Sequence, residues 1–212
     1  MSSFKSFSIA CVQRLPNYLS YLKTKRNQGT EHISTVTMAS ELNLNAIVVK
    51  KDLQQVSSTE GKPNVGFSVD RLIKDIESFL GFDNTKDAVL IGAGNLGSVL
   101  LSYKGFEKYG LNIVAAFDNN DDIIDSEIHG KRIFDIKRLP NLVRRMAIHI
   151  GILTVPKDCA QSVCDMMTDA GIRAIWNFAP ITLAVPDDVV IYNEDLAASL
   201  AVLSKKLKEI LI

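Results

Sequence analysis

The stretch Ala88-Val89-Leu90-Ile91-Gly92-Ala93-Gly94-Asn95-Leu96-Gly97, with Ile113-Val114-Ala115-Ala116-Phe117-Asp118 one helix later, decides the fold of this chain. The apolar run before Gly92 predicts a buried strand, the glycines a tight turn, and the residues after Gly97 a helix. In that geometry the first glycine permits the turn, the second lets backbone approach a pyrophosphate, and the third lets the helix pack on its strand. Phosphates would rest on unpaired N–H groups at the helix N-terminus, where the macrodipole favours negative charge. Gly92, Ala93, Gly94, Asn95, Leu96 and Gly97 are therefore the candidate phosphate cradle. Asp118 is placed to accept hydrogen bonds from the adenosine ribose and would repel a 2′-phosphate, so NAD(H) is expected over NADP(H). Glycine-rich turns alone are common; strand, helix, second strand and terminal acid in this order are not.

Downstream the alternation continues. His149 to Val155 and Ile172 to Phe178 predict further buried strands joined by a helix over Lys157 to Ala170. Shorter strands fall at Arg132 to Phe134 and Val189 to Tyr192, and a helix around Pro140 to Arg145. This gives an α/β fold, a mostly parallel, doubly wound Rossmann sheet with helices on both faces. Ligands of such sheets lie beyond the strand carboxyl ends, which nominates Val155, Pro156, Asn177, Phe178, Ala179 and Pro180 for the nicotinamide end. From Glu194 a closing helix carries Leu196, Leu200, Leu203, Leu207 and Ile210 at steps of four and three. A one-sided stripe of this kind either packs back on its own domain or exchanges with a second subunit.

Upstream the pattern is helical. Pro16 suits a first helical turn, and Tyr18, Leu19 and Leu22 give an apolar face to about Lys25. A short second helix carries Val36, Ala39 and Leu42, with Ser34 or Thr35 able to cap it. Asn43-Leu44-Asn45 reads as a turn, with Asn45 able to cap a third helix from Ala46 to about Gln55 that has Ile47, Val48 and Leu53 as candidate inner positions. Helix, tight turn, helix is the arrangement of a DNA reader. Lys50 and Lys51 would reach phosphates or base edges in a major groove, or would simply solvate an exposed face. Val56 to Phe67, broken by Gly61, Pro63 and Gly66, reads as a short β-hairpin, a wing whose Lys62 lies near the minor groove or backbone. Ser68 can cap a helix striped by Val69, Leu72, Ile73, Ile76, Phe79 and Leu80 and closed by Gly81. The expected organisation is a winged helix over residues 1–81, a Rossmann domain over 82–193 that opens with a short linker to Asp87, and a C-terminal helix over 194–212.

The chain has 212 residues, 47% of them hydrophobic, and a formal net charge of +0. That zero hides an asymmetry: residues 1–81 hold 10 Lys and Arg against 7 Asp and Glu, the remainder 14 against 17. The sign is the one expected if the first part approaches phosphates. With no run near the roughly 20 apolar residues a membrane span needs, and no long apolar signal region, a soluble cytoplasmic protein without a membrane partner is expected. Cys11, Cys159 and Cys164 match no metal spacing; they are read as idle thiols in preference to a redox pair of the last two, and no metal site is expected. A dehydrogenase would need a proton donor or acceptor beside the hydride and a surface for substrate. His32, His129 and His149 are scattered, the Tyr21 and Lys25 pair precedes the nucleotide fold, and only 34 residues follow Phe178. An enzyme is therefore not expected. The alternatives are a small NAD-dependent oxidoreductase and an NAD(H)-gated interaction protein that no longer binds DNA.

Taken in order, the parts resemble the Rex family of bacterial redox-sensing transcriptional repressors. The resemblance runs through Arg14-Leu15-Pro16, Lys50-Lys51-Asp52-Leu53, the GAGNLG turn, Tyr103-Lys104-Gly105-Phe106, Ala115 to Asp118, Asn177-Phe178-Ala179-Pro180 and Asn193-Glu194-Asp195-Leu196. It implies a homodimer with domain-swapped C-terminal helices, an NAD-sensing Rossmann domain, and winged-helix binding to double-stranded operator DNA that NADH relieves. It also implies a switch in which Asp195 pairs with Arg14 in one state and Tyr103 in the other. NADH is the expected effector because the oxidised ring is cationic and the reduced ring neutral, and a closed apolar site beside Phe178 and Pro180 favours the latter. Two departures stand out. The family's Arg-Lys before Asp-Leu is here Lys50-Lys51, which keeps the charge and loses bidentate guanine readout. Its phenylalanine- and glycine-rich continuation is here Gln54-Gln55-Val56-Ser57-Ser58-Thr59-Glu60-Gly61, which bears on the wing contacts and the operator sequence.

Overall fold

Ser8 opens the first helix of the computed structural model, α1 (Ile9–Asn27), by accepting from the Cys11 N–H at 3.2 Å. The residues described are 8–62, 65–81 and 86–210. Pro16 thus lies inside the helix rather than in its first turn. A proline there costs about 3 kcal/mol, which the fully buried Leu15, Tyr18, Leu19 and Leu22 offset, each contributing about 1.5–3 kcal/mol.

After β1 (His32–Ile33) come α2 (Thr35–Glu41), capped by Ser34 through the Thr37 N–H at 3.0 Å, and α3 (Ala46–Val56), capped by Asn45 through the Ile47 N–H at 2.8 Å. Asn43, at φ +56°, makes the turn between them. Ile47, a candidate inner position, faces outward instead and is 64% exposed; Val36 of the α2 apolar spacing is 66% exposed as well. Val48 and Leu42 are half-buried. Met38 and Ala39 on α2, and Val49, Asp52, Leu53 and Val56 on α3, point inward. The inner set of α3 keeps helical spacing, but a charged residue interrupts it, which hides the phase from an apolar count.

β2 (Phe67–Ser68) pairs antiparallel with β1, and Lys62 and Gly66 exchange hydrogen bonds of 2.9 and 2.8 Å, which forms the wing. The tip, Pro63 and Asn64, lies outside the described residues. The unusual segment after α3 is anchored: Asp75 accepts the Ser58 N–H at 2.8 Å and its hydroxyl at 2.9 Å. Asp75 belongs to α4 (Val69–Leu80), which buries Val69, Leu72, Ile73 and Ile76 and ends on Gly81 at φ +70°. Ser68 stands at its N-cap, but no side-chain cap bond forms there. The chain divides into two compact units, one reaching Asn84 and one starting at Thr85. The expected linker falls mostly outside the described residues; the next strand has begun by Lys86.

The second unit runs β3 (Lys86–Ile91), α5 (Asn95–Ser102), β4 (Leu111–Asp118), β5 (Glu127–Ile128), β6 (Lys131–Asp135), α6 (Leu139–Met146), β7 (Ile150–Leu153), α7 (Lys157–Ala170), β8 (Ala174–Asn177), β9 (Val190–Asn193) and α8 (Leu196–Ile210). The sheet order is β5-β6-β4-β3-β7-β8-β9, parallel throughout except for β5 at the edge. Strand order reverses between β3 and β7, the switch point where such sheets take ligands. Alternate residues of β3 serve the two faces. Val89 and Ile91 join Val143 of α6 and Met167 of α7 in one core, and Leu90 joins Leu101 of α5 in the other.

Candidate functional site

Gly92 leaves β3 at φ +96°, and its N–H donates to the Phe117 carbonyl at 2.8 Å. A Cβ there would lie 2.9 Å from the Thr154 backbone and the Val155 side chain, and one on Gly97 would run into the Gly92 carbonyl oxygen. One on Gly94 would meet nothing within 4 Å. The first and third glycines therefore serve the fold, and the second leaves room for something from outside. Gly94 also stands at the N-cap of α5 with no side chain over the first helical N–H groups. An exposed N-terminus beside open space fits a pyrophosphate.

Asp118 ties this turn to the end of β4. Its carboxylate accepts from the Ala93 N–H at 2.7 Å, the Asn119 N–H at 2.8 Å and the Asn120 N–H at 2.9 Å. A carboxylate offers about four acceptor sites, so capacity for a ribose hydroxyl remains. Thr154, which sequence reasoning passed over, fastens the switch point: its hydroxyl lies 2.7 Å from the Gly92 carbonyl and 3.0 Å from that of Ile91. A threonine after an apolar strand carries no signal of its own.

Val155 and Pro156 follow β7, and Phe178, Ala179 and Pro180 follow the adjacent β8, joined by a Phe178 N–H to Leu153 carbonyl bond of 2.8 Å. Asn177 organises the loop that follows β8. It is fully buried, its Nδ2 donates to the Ile181 carbonyl and to Asn193 Oδ1, both at 2.9 Å, and its Oδ1 accepts from the Ala179 N–H at 2.9 Å. These bonds hold the Phe178 to Pro180 turn against β9. Phe178 rests on Trp176 with ring centres 4.8 Å apart, Trp176 on Phe106 at 5.6 Å, and Phe106 on Tyr103 at 4.9 Å. The Trp176 indole N–H also donates to Glu194 at 3.3 Å.

In the N-terminal unit α3 presents Ile47, Lys50, Lys51 and Gln54 outward, and Lys62 is exposed on the wing. A groove of about 760 Å³ lies between Lys50 and Gln54 on one side and Lys62 and Phe67 on the other. Beneath it Asp52 is buried, holding Arg14 through Nε at 2.7 Å and Nη2 at 2.8 Å and accepting from the Tyr18 hydroxyl at 2.8 Å. Burial pushes this carboxyl up, but hydrogen bonds from Arg14, Tyr18 and Cys11 outweigh it and hold the group below the ordinary range. Burial also pushes the Cys11 thiol up to about 11, which keeps it protonated at neutral pH.

Residues 7–54 match a family model described as the N-terminus of putative DNA-binding proteins, and residues 83–181 one described as a CoA binding domain. Over 196 residues, 92% of this chain and 89% of the relative, the sequence is 40% identical to the redox-sensing transcriptional repressor Rex of Bacteroides fragilis. The chain belongs to the Rex family. Rex of Thermoanaerobacter pseudethanolicus is 37% identical over 209 residues, 99% of this chain and 93% of the relative. Among solved structures, the Rex-family repressor RSP in complex with β-NAD+ and operator DNA superposes with a TM-score of 0.90 at 36% identity, covering 97% of this chain and 94% of that one. RSP in complex with β-NADH gives 0.84 at 35% identity, covering 97% and 96%.

Of the residues that the Rex resemblance marked as a switch, Arg14 forks Asp52, and Tyr103 is 57% exposed against Phe106. Asp195 caps α8, accepting from the Ala197 and Ala198 N–H groups at 2.9 and 3.1 Å. The Rex relatives are named as repressors, and the features that suggested an oxidoreductase have structural uses here. Lys25 lies 5.5 Å from the centre of the Tyr21 ring and pairs with Glu41 at 2.6 Å. His149 Nδ1 lies 3.2 Å from the Gly171 carbonyl, just before β7 and so at the opposite end of that strand from its carboxyl end. All three cysteines are free, and among the described residues no group of three or more His, Cys, Asp or Glu side chains is placed to hold a metal. Among them, too, no helix is long and apolar enough to cross a membrane.

Proposed function

We propose that this chain is a redox-sensing repressor of the cytoplasm, a homodimer that holds operator DNA through winged helices and lets go when NADH fills the crevice of its sheet. The observation that carries the reading is the match along 97% of the chain to a relative solved with both β-NAD+ and operator DNA. Residues 1–81 are assigned to DNA, 82–193 to the nucleotide and 194–212 to dimerisation. Asn45, Lys50, Lys51 and Lys62 contact the duplex. Gly92 to Gly97 hold the pyrophosphate, Asp118 the ribose, and Val155, Pro156, Phe178, Ala179 and Pro180 the nicotinamide end, with Asn177 setting the loop.

A nicotinamide ring is cationic only when oxidised, and the half-buried Val155 and Phe178 beside the buried Ala179 penalise that charge. A ligand shifts a two-state equilibrium only through its difference in affinity for the two states, so NADH has to bind the DNA-releasing arrangement more tightly. The stacked rings from Phe178 to Tyr103, with Trp176 tethered to Glu194 beside Asp195, supply a route by which occupancy is read. Arg14, Tyr103 and Asp195 form the switch.

The test is selection of binding sites from a random duplex pool, followed by a mobility shift at fixed salt, since phosphate binding is salt-dependent. A two-fold symmetric site released by NADH and retained with NAD+ supports the proposal; no enrichment of any duplex sinks it. NADH is expected to bind at least tenfold more tightly than NADPH in a fluorescence titration, because the Asp118 carboxylate faces the added 2′-phosphate. Equal affinities would remove Asp118 from that role. The closing helix gives a further expectation. Leu200, Leu203, Leu207 and Ile210 are 62%, 63%, 52% and 79% exposed in the single chain, and covering each contributes about 1.5–3 kcal/mol. The double variant Leu203→Asp, Leu207→Asp should sediment as a monomer where the parent is a dimer; an unchanged mass would place the dimer contact elsewhere.

A further inference from the structure

We infer that Ile47 is a specificity-determining residue that reads one thymine per half-site through its 5-methyl group. The inference rests on the DNA-binding reading above and adds a base contact to it. Ile47 shares the outer face of α3 with Lys50, Lys51 and Gln54, at the three-, four- and seven-residue steps that bring side chains together on a helix. It is 64% exposed there, while Val49, Leu53 and Val56 on the opposite face are buried. An exposed isoleucine alone needs no explanation; its position gives this one meaning. It is the second residue of the helix, its N–H fastened by Asn45 at 2.8 Å, and in helix-turn-helix proteins the N-terminal residues of the reading helix meet base edges.

In the major groove the thymine 5-methyl is the apolar group on a base edge, and aliphatic side chains are its partners. The lysines beside Ile47 can donate to phosphates or to the O6 and N7 acceptors of guanine, and neither offers anything to an apolar group. A branched hydrocarbon at this end of α3 supplies what they lack, and its match is the thymine methyl. Val36 provides the contrast. It is 66% exposed, but it sits on α2, the helix that in this arrangement crosses the backbone, where there is no methyl group to meet.

The full-length dimer decides the matter on its own selected operator. Each thymine is replaced in turn by deoxyuridine, which removes only the methyl group. At one position per half-site the parent should bind about fourfold more weakly, the loss expected for one methyl group left uncovered. Ile47→Ala should show a similar loss on the thymine operator and no further loss with deoxyuridine, while Val36→Ala stays as sensitive as the parent. Both substitutions are on the surface, so equal melting temperatures will show that the fold is kept. A parent that binds but tolerates deoxyuridine everywhere, or an Ile47→Ala variant that remains sensitive, overturns the inference alone. A parent that binds no duplex overturns the DNA-binding reading and this inference with it.

Discussion

Replacing Asp52 by alanine is expected to lower the stability of the N-terminal unit by about 3 kcal/mol and to abolish operator binding, although the residue lies on the inner side of α3. Its side chain is 5% exposed, and its removal leaves the Arg14 guanidinium and the Tyr18 hydroxyl facing a void. Breaking a buried ion pair from one side typically costs about 3–5 kcal/mol; Arg14 retains 28% exposure, which sets the lower end. In a thermal melt the transition of this unit should fall by about 10 °C or more. Acidity gives an independent check. A carboxylate held below its ordinary pKa contributes stability above that ordinary value and loses it as pH falls through the folded one. The ordinary value is 3.8 and the shift is downward, so the parent should lose this contribution on acidification below about pH 4. Asp52→Asn lacks that dependence. Parallel acid curves for parent and Asn variant would show that the carboxylate contributes nothing as an ion.

The second large effect separates two glycines three positions apart, Gly94 and Gly97, in function as well as place. Gly94→Ala should fold as stably as the parent, since its new Cβ meets nothing within 4 Å and its φ of −65° suits alanine. The same methyl group would occupy the room proposed for the pyrophosphate, so NADH binding should weaken at least 100-fold, equivalent to about 2.7 kcal/mol. Gly97→Ala puts its Cβ onto the Gly92 carbonyl, and overpacking of this kind costs about 1–3 kcal/mol of stability in addition to the loss of NADH. Both variants should still bind the operator and ignore NADH. Calorimetric titration alongside a melt distinguishes them. Normal NADH affinity in Gly94→Ala would move the phosphates away from this turn.

How much of this could be read beforehand depended on whether the physics was local. The GAGNLG turn, its flanking strands and the capping by Ser34 and Asn45 are local constraints, and each is legible within a few residues. The fork between Arg14 and Asp52 spans 38 positions, and nothing near either residue announces it. Thr154 and Asn177 are similar cases: one fastens β7 to β3, the other gathers a loop and β9, and both roles exist only once the sheet has formed. The outward turn of Ile47 is not legible because apolar character alone does not tell the inner face of a helix from the outer one, and on α3 the inner face includes the charged Asp52. Pro16 sits inside α1 because its buried neighbours override a proline's local preference for the first turn.

Trp176 is the single tryptophan of the chain, and its place between Phe178 and Phe106 makes the native protein its own optical probe. Indole emission overlaps the absorption band of the reduced dinucleotide and misses that of the oxidised one. Energy transfer from this one fluorophore therefore distinguishes the two redox forms with no label attached. Because the same indole holds Glu194, rupture of that tether would shift its emission colour separately from the transfer, so one spectrum would follow both the arrival of ligand and the movement of the tail.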